Sequence, residues 1–124
     1  GWVSPHRPRV DPRGEAWVVM PLYNEASVSG EVVSSLTPYF PRVVCVDDGS
    51  SDGSAEAALR AGATVVRHPI NLGQGAALQT GIEFAVAHPQ MSYIVTFDAD
   101  GQHRVEDAVE MVRRARDEDL AVVF

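Results

Sequence analysis

Short apolar runs alternate with helix-like segments from residue 15 onward, and this alternation most constrains the fold. Five runs indicate buried strands because they are rich in apolar and β-branched residues and end at turn formers. They cover residues 16–20, 42–46, 63–66, 93–97 and 120–124. The segments between them place apolar residues at helical spacing. Strand and helix in alternation predict an α/β fold with a mostly parallel sheet and helices on both faces.

Polar residues at the expected helix ends support this interpretation. Asn24 or Ser27 is predicted to cap the first helix, and residues 51–54 offer caps for the second. Gly62 is predicted to end the second helix, because glycine readily adopts the left-handed conformation found there.

The chain is predicted to form one folded unit. Its 124 residues are enough for a single hydrophobic core. Residues 1–14 hold three prolines among polar residues, which is typical of a tail or linker, so we place the folded part at residues 15–124.

The net charge of -7, from ten basic and seventeen acidic residues, argues against a nucleic-acid-binding surface. Any bound phosphate needs positive charge from another source. No apolar run is long enough to span a membrane, so we expect this piece to be soluble. Cys45 lies alone in an apolar run, which indicates a buried thiol and a reducing, cytoplasmic setting.

Polar and acidic residues follow three of the predicted strands, at residues 21–25, 47–52 and 98–103. In open parallel sheets, ligands bind beyond the carboxyl ends of the strands. Turn formation and helix capping explain any one of these segments about as well as ligand binding does. A turn accounts less well for Asp98 and Asp100 followed by Gln102 and His103. Carboxylates at this spacing offer the hard oxygen ligands that Mg²⁺ or Mn²⁺ prefers.

Four segments in order resemble the successive motifs of the family 2 glycosyltransferases. They lie at residues 18–25, 46–54, 71–77 and 97–103. The resemblance is to the branch that includes dolichyl-phosphate mannose synthase and bacterial polyprenyl-phosphate glycosyltransferases. It covers residues 16–124 and implies the N-terminal, nucleotide-sugar-binding half of a GT-A fold, which is Rossmann-like.

The resemblance also implies roles for individual residues. Pro21, Tyr23 and Glu25 would line the nucleotide pocket, and Asp48 would accept a hydrogen bond from the base. Asp98 would lie by the ribose and the metal. Asp100 and Gln102 would coordinate Mg²⁺ or Mn²⁺ against the diphosphate. For His103, contact with the ligand and a supporting or capping role stay open.

The Asn71–Gly75 loop is assigned a structural role. Many relatives carry lysine where this chain has Gln74, so the loop lacks the cationic contact that a lysine would offer. Glycine-rich loops before helices often serve close packing alone.

The implied activity is metal-dependent transfer of a sugar from a UDP- or GDP-linked donor. The branch implies a polyprenyl phosphate acceptor at the cytoplasmic face of the membrane. Within the family, the acceptor-activating base comes later than Phe124, so no catalytic residue is assigned. We therefore expect this chain alone to bind nucleotide weakly or not at all and not to transfer sugar, and to self-associate through a sheet edge at residues 120–124.

Two other protein classes, a phosphatase and a dinucleotide-binding domain, fit the sequence less well. Asp98 and Asp100 also fit the opening motif of haloacid-dehalogenase-like phosphatases, but that motif follows a first strand and needs a later lysine, and the chain has none. A dinucleotide-binding domain needs glycines after its first strand, where residues 21–25 contain none. A non-catalytic module that only binds a nucleotide or nucleotide sugar stays open as the alternative.

Overall fold

The structure is a computed structural model that describes residues 14–100 and 104–117. Strands and helices alternate throughout these residues. They are β1 (Glu15–Leu22), α1 (Ala26–Leu36), β2 (Arg42–Asp48), α2 (Ser54–Arg60), β3 (Thr64–His68), α3 (Gln74–Val86), β4 (Met91–Thr96) and α4 (Val105–Asp117). The predicted fifth strand at residues 120–124, with its proposed edge association, lies outside the described residues, as do residues 1–13 of the predicted tail.

The four strands form one parallel sheet in the order β3-β2-β1-β4. The chain builds outward from β1 to β3 and then returns to place β4 on the other side of β1. The direction of winding therefore reverses between β1 and β4. Such a switch point opens a crevice at the carboxyl ends of the strands, where ligands bind in open α/β sheets.

Helices cover both faces of the sheet, as the sequence predicts. Val18 and Met20 of β1 face a core shared with α1, α2 and α4. Trp17 and Val19 face the opposite side, where the core includes residues of α3. Successive side chains of a strand point to opposite faces, so the all-apolar run of β1 serves two cores at once.

Helix α3 packs very close to the sheet at Gly81. A Cβ atom at this position would lie 2.3 Å from Cγ1 of Val19 and 3.2 Å from Cγ2 of Val46. Ala77 and Ala85, one turn away on either side, are buried on the same face of the helix. The small residues bring α3 down onto the sheet, and its first turn then reaches the carboxyl end of β1 and β2.

Strand β1 continues through Pro21 to Leu22, whereas the sequence predicts that it ends at Pro21. Val19 still accepts a hydrogen bond from the backbone N–H of Phe97 on the β4 side. Residues two apart in a strand direct their backbone groups to the same neighbouring strand, so the nitrogen of Pro21 also faces the β4 side, at a level beyond the last residue of β4. Since β4 has already ended there, the sheet loses no hydrogen bond through the missing N–H of proline. Proline is therefore tolerated at this position of an interior strand.

The start of helix α1 also differs from the prediction. Its N-cap is Glu25, not Asn24 or Ser27. The backbone N–H of Ala26 instead donates to the carboxylate of Asp52 at 3.1 Å. The same carboxylate accepts the backbone N–H of Ser54 at 3.0 Å, at the start of α2. One acidic side chain thus accepts the first backbone N–H of both helices. The N-cap position of α2 is Gly53, which lies within the predicted residues 51–54 but offers no side-chain cap.

The end of helix α2 agrees with the prediction. Gly62 has a φ of 108°, the left-handed conformation that favours glycine. Across the described residues, none of the helices combines the length and apolar character needed to cross a bilayer.

Candidate functional site

A cavity of about 480 Å³ opens at the switch point between β1 and β4. Its size falls within the range of small-molecule binding sites. The described residues that line it are Pro21, Leu22, Tyr23, Glu25, Asp48, Asn71, Gly73, Gln74, Asp98 and Asp100. The cavity therefore collects the segments that follow β1, β2, β3 and β4.

All six residues predicted to bind the nucleotide sugar border this one cavity. They are Pro21, Tyr23, Glu25, Asp48, Asp98 and Asp100. Tyr23 is half exposed. Gln102, predicted as a metal ligand, and His103 lie outside the described residues. The individual roles of these residues stay predictions.

Three carboxylates meet at one wall of the cavity. An oxygen from each of Glu25, Asp98 and Asp100 lies within 4.8 Å of the others. Burial raises the pKa of Glu25, and the negative charges of Asp100 and Asp98 raise it further. Like charges brought this close are stabilised by a cation between them, and hard oxygen donors suit Mg²⁺ or Mn²⁺.

The sequence does not identify Glu25 as a candidate metal ligand. Glu25 is 73 positions before Asp98, and the two meet because β1 and β4 are neighbours in the sheet. Strand order follows from the packing of the whole sheet, so a motif in the sequence does not reveal that β1 and β4 are neighbours.

The charge of the cavity is strongly one-sided. Four acidic side chains line it, and no basic side chain does so among the residues that the structure describes. An anion such as a diphosphate would be repelled by this wall at neutral pH. Binding of a diphosphate therefore requires a cation, which is bound either to the diphosphate as it enters or to the carboxylates beforehand.

Asp48 fastens the loop that follows β3. Its Oδ1 accepts the backbone N–H of Leu72 at 2.8 Å, and its Oδ2 accepts the backbone N–H of Gly73 at 2.9 Å. The side-chain amide of Asn71 donates to the backbone carbonyl of Asp48. These bonds confirm that the loop has a structural role. The loop also forms part of the cavity wall through Asn71, Gly73 and Gln74, which the sequence does not indicate.

His68 also contacts the Asp48 carboxylate, at the same oxygen that accepts the N–H of Leu72. Its Nδ1 lies 2.9 Å from Oδ1 of Asp48, and its Nε2 lies 2.9 Å from Oγ1 of Thr80 on α3. Burial acts to raise the pKa of Asp48, but the hydrogen bonds from His68, Leu72 and Gly73 outweigh it and hold the pKa below its usual value. The carboxylate is therefore ionised at neutral pH although only 4% of the side chain is exposed.

Gly49 allows the turn after β2 to sit directly against this loop. Its φ is 75°, and a Cβ atom here would lie 2.5 Å from the backbone nitrogen of Asn71 and from the backbone carbon of Ile70. Both the left-handed conformation and the close approach require glycine. The turn and the loop consequently form one packed unit.

A second set of contacts ties the segment after β1 to the turn after β2. The backbone N–H of Asn24 donates to Oγ of Ser50 at 2.9 Å, and the backbone N–H of Glu25 donates to Oγ of Ser54 at 2.7 Å. Serine hydroxyls from one segment thus satisfy backbone donors of the other. Glu25 is positioned at the cavity by these bonds and by the start of α1.

Comparison with known families and proteins gives a consistent result. The family model described as glycosyl transferase family 2 matches residues 17–124. An uncharacterized protein of Methanocaldococcus jannaschii is 41% identical over 102 residues, which cover 82% of this chain and 42% of the relative. The undecaprenyl-phosphate 4-deoxy-4-formamido-L-arabinose transferase of Salmonella paratyphi B is 34% identical over 118 residues, covering 86% of this chain and 35% of the relative. The chain spans less than half the length of these relatives.

A solved structure shares the fold. It is glucosyl-3-phosphoglycerate synthase from Mycobacterium tuberculosis in complex with Mn²⁺, uridine diphosphate and glucosyl-3-phosphoglycerate. The TM-score is 0.56 at 26% sequence identity, over 70% of this chain and 34% of that protein. The predicted fold class is confirmed by this likeness and by the parallel sheet with helices on both faces.

Proposed function

The chain belongs to the family 2 glycosyltransferases, and on that premise we propose that it forms the nucleotide-sugar-binding part of a metal-dependent glycosyltransferase. The observation that carries the proposal is the cavity at the switch point, where acidic side chains from the ends of β1, β2 and β4 meet without a basic one among the described lining residues. A nucleoside diphosphate fits such a wall only together with a divalent cation.

The carboxylates of Glu25, Asp98 and Asp100 fit Mg²⁺ or Mn²⁺, since one oxygen of each lies within 4.8 Å of the others. Asp98 and Asp100 are the principal candidates, and Glu25 is a third. When bound, the cation would offset the negative charge that accumulates on the departing diphosphate. In support, a solved relative of the same fold contains Mn²⁺ and uridine diphosphate.

Asp48 is suited to contact the nucleotide base. A carboxylate offers about four lone-pair positions. Oδ1 accepts from His68 and Leu72, while Oδ2 accepts from Gly73, so a position on Oδ2 is available for an N–H of uracil or guanine. Tyr23 stands at the rim of the same cavity, where its half-exposed ring can pack against a base.

The proposed reaction transfers the sugar to an acceptor. The bond between the sugar's anomeric carbon and the diphosphate breaks, a bond to an acceptor oxygen forms, and the nucleoside diphosphate leaves as an anion. We propose a polyprenyl phosphate acceptor, supported by the name of the Salmonella relative. Such an acceptor would place the reaction at the cytoplasmic face of a membrane. The group that activates the acceptor is expected beyond Phe124.

Titration of the chain with UDP and GDP tests the proposal, each with Mn²⁺ and each with a chelator, followed by calorimetry or by NMR if binding is weak. Binding should require the cation, because the lining carboxylates repel a bare diphosphate. Equal affinity in the chelator would contradict the metal assignment. Failure of both nucleotides to bind at millimolar concentration with Mn²⁺ would contradict nucleotide binding by this part of the protein.

A further inference from the structure

We infer that His68 is a positioning residue of the nucleotide site, which orients the Asp48 carboxylate so that it both fastens the loop after β3 and presents Oδ2 to the base. This inference rests on the proposed function for its ligand. Its structural part, the control of Asp48 and the loop by His68, stands without any ligand.

The imidazole of His68 is held at both of its nitrogens. Nδ1 lies 2.9 Å from Oδ1 of Asp48 and Nε2 lies 2.9 Å from Oγ1 of Thr80. An ionised carboxylate is only an acceptor, so Nδ1 carries the hydrogen of the first bond. In the neutral ring Nε2 then accepts the hydroxyl hydrogen of Thr80. The side chain is only 9% exposed, so little water competes for these bonds.

This arrangement limits the rotation of the Asp48 carboxylate. The terminal torsion of an aspartate is broad and is poorly fixed by its own chain. Here His68 and the N–H of Leu72 share Oδ1, and Gly73 takes Oδ2. Without His68, Oδ1 keeps one donor and the carboxylate can turn away from the two loop amides. The loop would then lose its attachment to β2.

His68 acts through Asp48 because it does not reach the ligand. Among the described residues that line the cavity, Asp48 is present but His68 and Thr80 are not. The order Asp48, His68, Thr80 resembles the chain of hydrogen bonds in nucleophilic triads. The hydroxyl of Thr80 lies outside the cavity and has no reacting atom to attack. The chain of hydrogen bonds therefore orients the Asp48 carboxylate.

Strand register supports the same assignment. His68 is the last residue of β3 and lies opposite Asp48, the last residue of β2. The pair therefore sits at the carboxyl edge of the sheet, and Thr80 joins it from α3. One imidazole therefore connects β2, β3 and α3 next to Asp48, which lines the cavity.

Three variants separate the two bonds of His68. His68→Asn keeps an N–H donor near the position of Nδ1, His68→Leu removes both bonds at similar size, and Thr80→Val removes only the outer one. The first measurement is amide hydrogen exchange at Leu72 and Gly73 by NMR in the 124-residue chain.

His68→Leu should speed exchange at both amides by about tenfold relative to a reporter amide in β1. A change of this size corresponds to the loss of one hydrogen bond to a charged group. His68→Asn should restore most of the protection. Unchanged exchange at these two amides in folded His68→Leu would overturn the inference.

The second measurement compares ligands. With Mn²⁺, His68→Leu should weaken UDP or GDP binding by about tenfold and leave inorganic pyrophosphate binding nearly unchanged, because Asp48 contacts the base and not the phosphates. Equal losses for both ligands, or none, would overturn the role toward the base. If the wild-type chain binds neither nucleotide, the proposed function fails, and the exchange experiment still decides whether His68 positions Asp48.

Discussion

The side-chain oxygen of Asn24 lies 2.9 Å from the backbone nitrogen of Ser51 and accepts its hydrogen bond across 27 positions of sequence. Asn24 is also the one non-glycine residue with a positive φ, 51°, within residues 14–100 and 104–117. Asparagine tolerates this conformation better than most residues. The contact joins the segments that carry Glu25 and Asp48 to the cavity.

Two substitutions at Asn24 separate its side-chain bond from its backbone conformation. Asn24→Gly keeps the positive φ without strain and loses the bond to Ser51. Asn24→Ala loses the bond and adds a left-handed penalty of about 1 kcal/mol. The alanine variant should therefore have the lower free energy of unfolding, measured by urea denaturation. Equal stability of the two variants would show that the backbone conformation relaxes.

Asp100→Asn should abolish most cation-dependent nucleotide binding while the chain folds normally. The change removes one of three clustered charges at nearly constant volume, and Asp100 is exposed, so its loss does not disturb the core. Affinity for UDP or GDP with Mn²⁺ should fall by at least about tenfold. Asp107→Asn is the matched control and should bind like the wild type, because Asp107 is an exposed acid on α4 that does not line the cavity. Parallel losses in both variants would point to net charge as the cause.

Asp48→Asn tests the contact with the base. An amide presents one acceptor oxygen in place of two, so affinity for UDP or GDP should fall by about tenfold while pyrophosphate with Mn²⁺ binds nearly as before. Asp117→Asn provides a control, because Asp117 is exposed at the end of α4 and does not line the cavity. A proportional loss of both ligands in Asp48→Asn would assign Asp48 to the loop alone.

The same variant should alter how stability depends on pH. The pKa of Asp48 is lowered in the folded protein, so its ionised form stabilises the fold above its ordinary pKa of 3.8, and that contribution is lost as pH falls through the lowered value. At pH 7 Asp48→Asn should be less stable by about 1–3 kcal/mol, since the amide leaves a loop N–H without an acceptor. The gap between wild type and variant should narrow as pH falls below 3.8 toward the lowered pKa of Asp48. Urea denaturation at a series of pH values measures this difference in the free energy of unfolding. A difference that does not depend on pH would contradict the lowered pKa.

Gly81→Ala should destabilise the fold because the new methyl group would meet Cγ1 of Val19 at 2.3 Å. Overpacking of this kind costs about 1–3 kcal/mol. Gly75→Ala is the matched control in the same helix, where a Cβ atom meets nothing within 4 Å. That variant should be neutral or more stable by up to about 1 kcal/mol. Thermal or urea unfolding distinguishes them, and similar values for both would show that α3 shifts away from the sheet.

The alternation of strands and helices was predictable because apolar periodicity is local. Each strand that the structure describes overlaps a predicted apolar run, and the helices fall between them. The gathering of Tyr23, Asp48 and Asp98 at one edge was likewise predictable, because parallel strands share a carboxyl end. Features that depend only on the identity and direction of the strands could therefore be inferred from the sequence.

The missed features all depend on partners distant in sequence. The first backbone N–H of α1 donates to Asp52, which lies on a separate turn, so local rules favoured a cap from Asn24 or Ser27 instead. His68 carries no motif, and its contact with Asp48 arises from the pairing of β2 with β3. Pro21 looks like the end of a strand until the early end of β4 is known. Neither Gln102 nor the fifth strand falls within the described residues, so both stay predictions.

The bonds from Asp48 to the loop and from Asp52 to two helix starts join protein groups only. The wall of the cavity is therefore preorganised, and its backbone does not need to be ordered when a ligand arrives. Sites that fold around their ligand lose affinity through that ordering, whereas a prebuilt wall avoids most of the entropy loss. Loosening a bond remote from the ligand should consequently appear in calorimetry as a less favourable binding entropy, with the contacts to the ligand themselves unchanged.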